Sequence, residues 1–208
     1  MQRTIQVGAF ILAGGESSRM GQPKALLPLN GTPLVLYVAR LIAPVAASAV
    51  VIGPPATFQS LGLRVLSDDF PAAGPLGGIA TALRAAEKPW NLIVACDLPF
   101  LTRAWLEYLV ARAFASQADA VIPMNERGAE PLCAMYHQRC AAPIREALAR
   151  GTRKVTDGLA LLRVENIAPA EWKAFDSDGF LFKNMNSPAE YEEARARIER
   201  SASGRKRE

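Results

Sequence analysis

Short apolar runs that alternate with segments of helical spacing constrain this chain more than any other feature. The runs are Val7–Leu12, Ala49–Ile52, residues 63–66, residues 91–95 and residues 120–122. Apolar stretches this short, bounded by glycine or aspartate, read as strands buried on both faces. Between them, Leu34, Val38, Leu41 and Ile42 fall on one helical face, and Pro33 suits a first helical turn. A short helix is expected over residues 58–61, a second over 76–86 and a third from Thr102, its cap, through Phe114. Alternation of this kind implies βαβ units and a parallel sheet with helices on both faces. In such sheets ligands bind beyond the carboxyl ends of the strands. Gly14 and Gly15 follow the first run, Asp68 the third and Asp97 the fourth, so the polar motifs converge on one end of the sheet.

The pattern changes after residue 123. Residues 124–130 are polar and turn-like, and residues 131–136 suit a strand returning to the sheet. A helix over 144–150 stops at Gly151, and the basic stretch Arg150, Arg153, Lys154 opens another over 155–162. Val164–Ile167 is a short strand. Ser187 and Pro188 suit the cap and first turn of a last helix that ends near Arg200. No linker divides the chain, so residues 1–200 are expected to form a single α/β domain, a Rossmann-like three-layer sandwich with a mostly parallel sheet. Residues 201–208, basic and without apolar periodicity, are expected to be a disordered tail.

The bulk properties exclude several classes. A chain of 208 residues buries a good core without staples. No apolar run reaches membrane-spanning length, and the N-terminus enters the first strand without the apolar region of a signal peptide. Cys96, Cys133 and Cys140 lack CxxC spacing and read as small apolar packers, which suits a cytoplasmic protein. The net charge of +4 is mild, and much of the excess sits in the final segment. Trp90, Trp105 and Trp172 are scattered, so no stacking platform for nucleic acid is expected. His137 is the sole histidine, which leaves no triad machinery.

The loop after the first run carries the sharpest signal. Gly14 and Gly15 let backbone come close to a ligand. Successive bare N–H groups form a nest for anions. Arg19 and Lys24 add fixed positive charge to the same loop. Gly-Lys followed by a hydroxyl occurs nowhere, which excludes a P-loop. Gly14-Gly15-Glu16 breaks the dinucleotide fingerprint. A triphosphate-holding loop of another kind remains, against the plainer reading of a glycine turn with solvated charges.

The whole run Leu12-Ala13-Gly14-Gly15-x-Ser17-x-Arg19-Met20-Gly21-x-x-Lys24-x-Leu26 resembles the signature of nucleotidyltransferases. Within them the chain is most similar to the molybdenum cofactor guanylyltransferases, the MobA family, over about residues 11–191. The resemblance implies transfer of GMP from GTP to the terminal phosphate of molybdopterin, with Mg2+ and release of pyrophosphate. It also implies transient contact with cofactor-delivery proteins or molybdoenzymes. Leu12, Ala13, Gly14, Gly15, Lys24, Asp68, Gly74, Asp97 and Asn186 would hold the nucleotide. Lys24, Arg19 and Asp97 would act in catalysis, with Asp97 on the metal.

Each of these residues also has a structural reading. Asp97 ends an apolar strand, where a carboxylate serves either magnesium or a helix cap; the neighbouring phosphate loop favours the metal. Asp68 alone suits an Asx turn. Gly74-Pro75-Leu76-Gly77-Gly78 makes either a tight start to a helix or an anion site at its N-terminus. Asn184 and Asn186 resemble the family's Asn-x-Asn-Thr-Pro stretch, with Ser187 for threonine. Arg150, Arg153 and Lys154 form a solvated face or meet the acceptor's phosphate. Gly53 stands where relatives often place asparagine, so no role falls to it. Related cytidylyl enzymes tend to carry alanine where this chain has Gly14, which favours GTP. A CTP enzyme, a sugar-phosphate nucleotidyltransferase and a non-catalytic GTP-binding delivery protein are the alternatives.

Overall fold

The structure, a computed structural model, describes residues 7–14, 23–46 and 49–204. Strand β1 is Val7–Leu12. A single 3-10 turn at Lys24–Leu26 leads into a small hairpin, β2 (Pro28–Leu29) and β3 (Thr32–Pro33), which the sequence pattern did not reveal. Helix α1 is Leu34–Ile42, strand β4 Ala49–Ile52, helix α2 Pro55–Phe58 and strand β5 Arg64–Leu66. Helix α3 is Gly74–Arg84, β6 Trp90–Ala95, α4 Arg103–Ala115 and β7 Ala120–Asn125. Next come β8 (Gly128–Ala129), β9 (Cys133–His137), α5 (Ala141–Ala149), α6 (Val155–Leu159), β10 (Val164–Ile167) and α7 (Pro169–Trp172). The last helix, α8, is Pro188–Gly204 and so runs past the expected end at Arg200. Residues 205–208 of the expected tail lie outside the described residues.

Among the described residues the main sheet has eight strands, in the order β10-β7-β9-β6-β1-β4-β5, with β8 paired to β7. Strands β6, β1, β4 and β5 run parallel, as the alternation predicts. Strand β9 is the returning strand expected near residues 131–136. It enters antiparallel between β6 and β7. The turn-like stretch before it is partly strand, because β7 continues through Pro123 to Asn125 and pairs with β8.

Alternate residues of the strands feed two cores, which gives three layers. Ala9, Ile11, Val51, Leu92 and Val94 pack against Leu34, Val35 and Val38 of α1 and Trp105, Leu106 and Leu109 of α4. Phe10, Leu12, Val50, Ile52 and Ile93 pack on the other face against Leu76, Ile79 and Leu83 of α3 and Ile144 and Leu148 of α5. The Thr102 hydroxyl caps α4 by accepting from the Trp105 N–H at 3.2 Å. The Ser187 hydroxyl accepts from the Glu190 N–H at 3.3 Å at the start of α8. Tyr191 of α8 donates to the Pro28 carbonyl at 2.5 Å, which ties the C-terminal helix to the small hairpin. Among the described residues no helix is long and apolar enough to cross a membrane.

Candidate active site

Backbone hydrogen bonds continue past the strand ends and hold four tips in line. The Ala13 N–H donates to the Ile52 carbonyl at 2.9 Å, and the Gly53 N–H to the Leu66 carbonyl at 2.9 Å. The Cys96 N–H donates to the Leu12 carbonyl at 3.0 Å, and the Ala95 N–H to the Leu132 carbonyl at 2.8 Å. These bonds fix β5, β4, β1, β6 and the start of β9 around one mouth. A cleft of about 1160 Å³ opens there. Its volume slightly exceeds the usual range for small-molecule sites.

Leu12, Ala13, Gly14, Lys24, Asp68, Gly74, Asp97 and Asn186 all line this cleft, although they come from distant parts of the chain. Gly15 and Arg19 lie outside the described residues. At the centre, the Lys24 ammonium donates to Asp97 Oδ2 at 2.6 Å and to Asn186 Oδ1 at 2.9 Å. The side chains of Lys24 and Asp97 are 14% and 18% exposed, so the pair is reachable but mostly desolvated. The Met185 N–H donates to the Asp97 carbonyl at 3.3 Å, which brings Asn186 to the tip of β6. The Asn186 N–H in turn donates to Glu190 Oε2 at 2.8 Å.

The glycines divide by what surrounds them. A Cβ on Gly14 would meet no atom of the described residues within 4 Å. Gly74 has φ +60° and lies at the start of α3, where an L side chain would be strained. Gly77 is a packing glycine, because a Cβ there would stand 2.5 Å from the Phe70 carbonyl oxygen. A Cβ on Gly78 would touch Leu12 at 3.2 Å. The N-terminus of α3 therefore approaches the mouth closely, and its first N–H groups carry partial positive charge toward it.

Asp68 is half committed to local structure. Its Oδ1 accepts from the Phe70 N–H at 2.8 Å, the expected Asx turn, and from the buried Thr81 hydroxyl at 2.9 Å. Thr81 also accepts from the Asp69 N–H at 3.0 Å. Asp68 also lines the cleft. Gly53 packs under Phe58, whose Cε2 would be 2.9 Å from an added Cβ. The chain thus fills with an aromatic edge the space an asparagine at 53 would need.

Of the basic segment near residue 150, only the following Val155 lines the cleft. Arg153 donates to the carbonyls of Leu148 and Thr152 at 3.2 and 3.0 Å and so caps the end of α5. His137 sits at the opposite end of the sheet, edge-on to Trp90, and its Nδ1 accepts from the Arg139 N–H at 3.2 Å. The three cysteines are buried and free, and burial pushes each thiol up to about 12.

Glu130 is the residue that sequence reasoning missed. It stands on the cleft wall beside Pro131 and Leu132, and Asn125 Nδ2 donates to its Oε1. Burial pushes its carboxyl up to about 7, Arg127 works against that, and the Asp97 charge adds to it. Its place just before a returning strand was readable, but only the antiparallel direction of β9 puts it at the mouth.

Among the described residues no cluster of three or more metal-ligating side chains forms. One carboxylate at a phosphate site is nonetheless the usual protein share of a magnesium site, the remaining ligands being phosphate oxygens and water. Asp97, with Oδ2 toward Lys24, fits that donor set.

Comparison with known proteins agrees with this geometry. Residues 9–164 match the MobA-like NTP transferase domain. A probable molybdenum cofactor guanylyltransferase of Pelotomaculum thermopropionicum is 34% identical over 97% of this chain and 98% of its own length. The molybdenum cofactor guanylyltransferase of Desulfosudis oleivorans is 33% identical over 92% and 96%. The crystal structure of molybdopterin-guanine dinucleotide biosynthesis protein A from Archaeoglobus fulgidus superposes with a TM-score of 0.81 at 26% identity, over 93% of this chain and 99% of that one. With the motif, the sheet order and the relatives in agreement over nearly the whole length, the chain belongs to the MobA-like NTP transferase family and is a nucleotidyltransferase.

Proposed function

We propose that this enzyme transfers GMP from GTP to the terminal phosphate of molybdopterin and releases pyrophosphate. The observation that carries the reading is the Lys24–Asp97 pair, held at 2.6 Å in the middle of a cleft large enough for two substrates. Relatives named for guanylyl transfer to this cofactor support the choice of substrates.

The acceptor phosphate oxygen attacks the α-phosphorus of GTP. The new P–O bond forms as the bond to the bridging α–β oxygen breaks, and pyrophosphate takes the electron pair. The acceptor is already an anion near neutral pH, so no strong base is needed. Catalysis then rests on positioning and on charge stabilisation. The backbone around Gly14, with Gly15 beyond it, cradles the phosphates, and Lys24 and Arg19 offset the charge that builds on them. The N-terminus of α3 at Gly74 adds partial positive charge from the facing wall. Asn186 holds the Lys24 ammonium in place. Asp68 and Leu12 lie toward the β4–β5 side and meet the nucleoside. Glycine rather than alanine at position 14 favours a purine there. Asp97 would hold a magnesium ion, which when bound neutralises phosphate charge. The cytoplasm, where GTP is plentiful, is the expected compartment.

The test is pyrophosphate release by the purified protein with magnesium, molybdopterin and each of the four nucleoside triphosphates in turn. GTP should be preferred and the guanine dinucleotide should form. A preference for CTP, or tight GTP binding without turnover, would overturn the reading.

A further inference from the structure

The sheet order divides the cleft. Strands β5, β4 and β1 bring Asp68, Gly53 and Gly14 to one side of Asp97. The start of β9 brings Glu130, Pro131 and Leu132 to the other side, with Leu98 and Val155 close by. A donor nucleotide over β1 with its reacting phosphate at Asp97 leaves the β9 side for the acceptor. Among the described lining residues on that side, Glu130 is the charged one, and its neighbours there are apolar.

We propose that Glu130 determines specificity for the acceptor by accepting hydrogen bonds from N–H donors of its ring system, the aminopyrimidinone edge of a pterin being that chemistry. This rests on the function proposed above. Three observations support it. The backbone is fixed, because the Glu130 N–H donates to the Pro123 carbonyl at 2.8 Å and its carbonyl accepts from the Cys133 N–H at 3.2 Å. The side chain is oriented by Asn125 on Oε1, and among the described residues no donor is recorded for Oε2. The charge is of the wrong sign to hold a phosphate, whereas a carboxylate is acceptor-only and pairs well with N–H groups. The upward push that burial exerts on this carboxyl is the cost such donors would offset.

The experiment compares wild type, Glu130→Gln and Glu130→Ala in full-length protein, with KM and kcat measured for GTP and for molybdopterin by pyrophosphate release, and with melting temperature. Loss of a charge-assisted hydrogen bond predicts a rise in acceptor KM of roughly tenfold or more for Glu130→Ala. Glu130→Gln keeps one acceptor oxygen and should fall between Ala and wild type. The KM for GTP should change less than twofold in both. An unchanged acceptor KM in an active enzyme overturns the proposal. So does a parallel rise in GTP KM, or a loss confined to kcat. A wild-type enzyme that makes no pyrophosphate from GTP overturns the guanylyl-transfer reading itself, and this inference with it.

Discussion

Replacing Lys24 by methionine separates the two roles its ammonium holds. The change keeps most of the apolar stem and removes the charge that meets Asp97 at 2.6 Å and Asn186 at 2.9 Å. An exposed ion pair contributes about 0–1 kcal/mol, and breaking a buried one costs about 3–5 kcal/mol. With side chains 14% and 18% exposed, this pair falls between those limits, at about 2 kcal/mol. For a chain of this length that corresponds to a drop in melting temperature of about 4–8 °C. Ligand binding should respond differently. If Lys24 grips the triphosphate tail, its loss removes a charge-assisted contact of about 1.5–3 kcal/mol, or roughly ten- to 150-fold in affinity for GTP. GMP, which lacks the β- and γ-phosphates, should lose threefold or less. Isothermal titration of both nucleotides with magnesium, without acceptor, reads the difference directly. Equal losses for GTP and GMP would refute the phosphate role and leave Lys24 as a structural partner of Asp97. A Lys24→Met/Asp97→Asn double-mutant cycle on melting temperature then gives the coupling of the pair alone, and it should be well below the sum of the single losses.

Asp97→Ala should lower the rate of guanylyl transfer by a hundredfold or more while costing stability only about as much as the lysine change; a variant that mainly unfolds in urea would place the residue in the scaffold instead. Gly8→Ala puts a Cβ 2.4 Å from Asn91 Oδ1 in the pairing of β1 with β6, so it should cost about 1–3 kcal/mol in urea denaturation with KM values unchanged. Thr81→Val removes the hydroxyl that donates to Asp68 and accepts from the Asp69 N–H; stability should fall by about 1–2 kcal/mol, and the KM for GTP should rise if Asp68 meets the nucleoside. Arg163, aided by Arg139, holds the Asp119 carboxyl at about 2, below its ordinary 3.8. The stability this contributes is fully present above pH 3.8 and is lost as pH falls toward 2, so Asp119→Asn should flatten acid denaturation across that window.

The parallel half of the sheet was legible because each strand there carries its own signal. Val7–Leu12 and residues 92–95 are apolar on both faces, and a glycine pair or an aspartate marks where each leaves the core. That is why Gly14, Lys24, Asp68 and Asp97, far apart in the chain, could be expected at one mouth. Loop geometry was less accessible. The Pro28–Pro33 hairpin is too short for a periodic pattern, and Pro123 argues against a strand until its pairing with Ile167 of β10 is seen. Asp68 shows a further limit: its Asx turn was readable locally, but the Thr81 hydroxyl that holds the same oxygen comes from one helix later. Glu130 stayed hidden because its meaning depends on the direction of β9, which neither composition nor spacing specifies.

That direction shapes the whole site. Strands β6, β1, β4 and β5 reach the mouth with their carboxyl ends, where polar residues follow each strand as it leaves the core. Strand β9 runs the other way, so the residues that reach the same mouth are the ones preceding it. The bond from the Ala95 N–H to the Leu132 carbonyl locks this start against the end of β6, next to Asp97. A fully parallel sheet would need a crossover connection here and would bring another strand end to the mouth. The reversal instead lets the chain return through the short β7–β8 turn and set Glu130 and Leu132 on the cleft wall beside Asp97, with Asn125 behind Glu130. If the acceptor lies on the β9 side as proposed, donor and acceptor walls belong to differently built parts of one sheet. Substitutions around β8 and the start of β9 should alter acceptor kinetics without disturbing nucleotide affinity, and those around β4 and β5 should do the reverse.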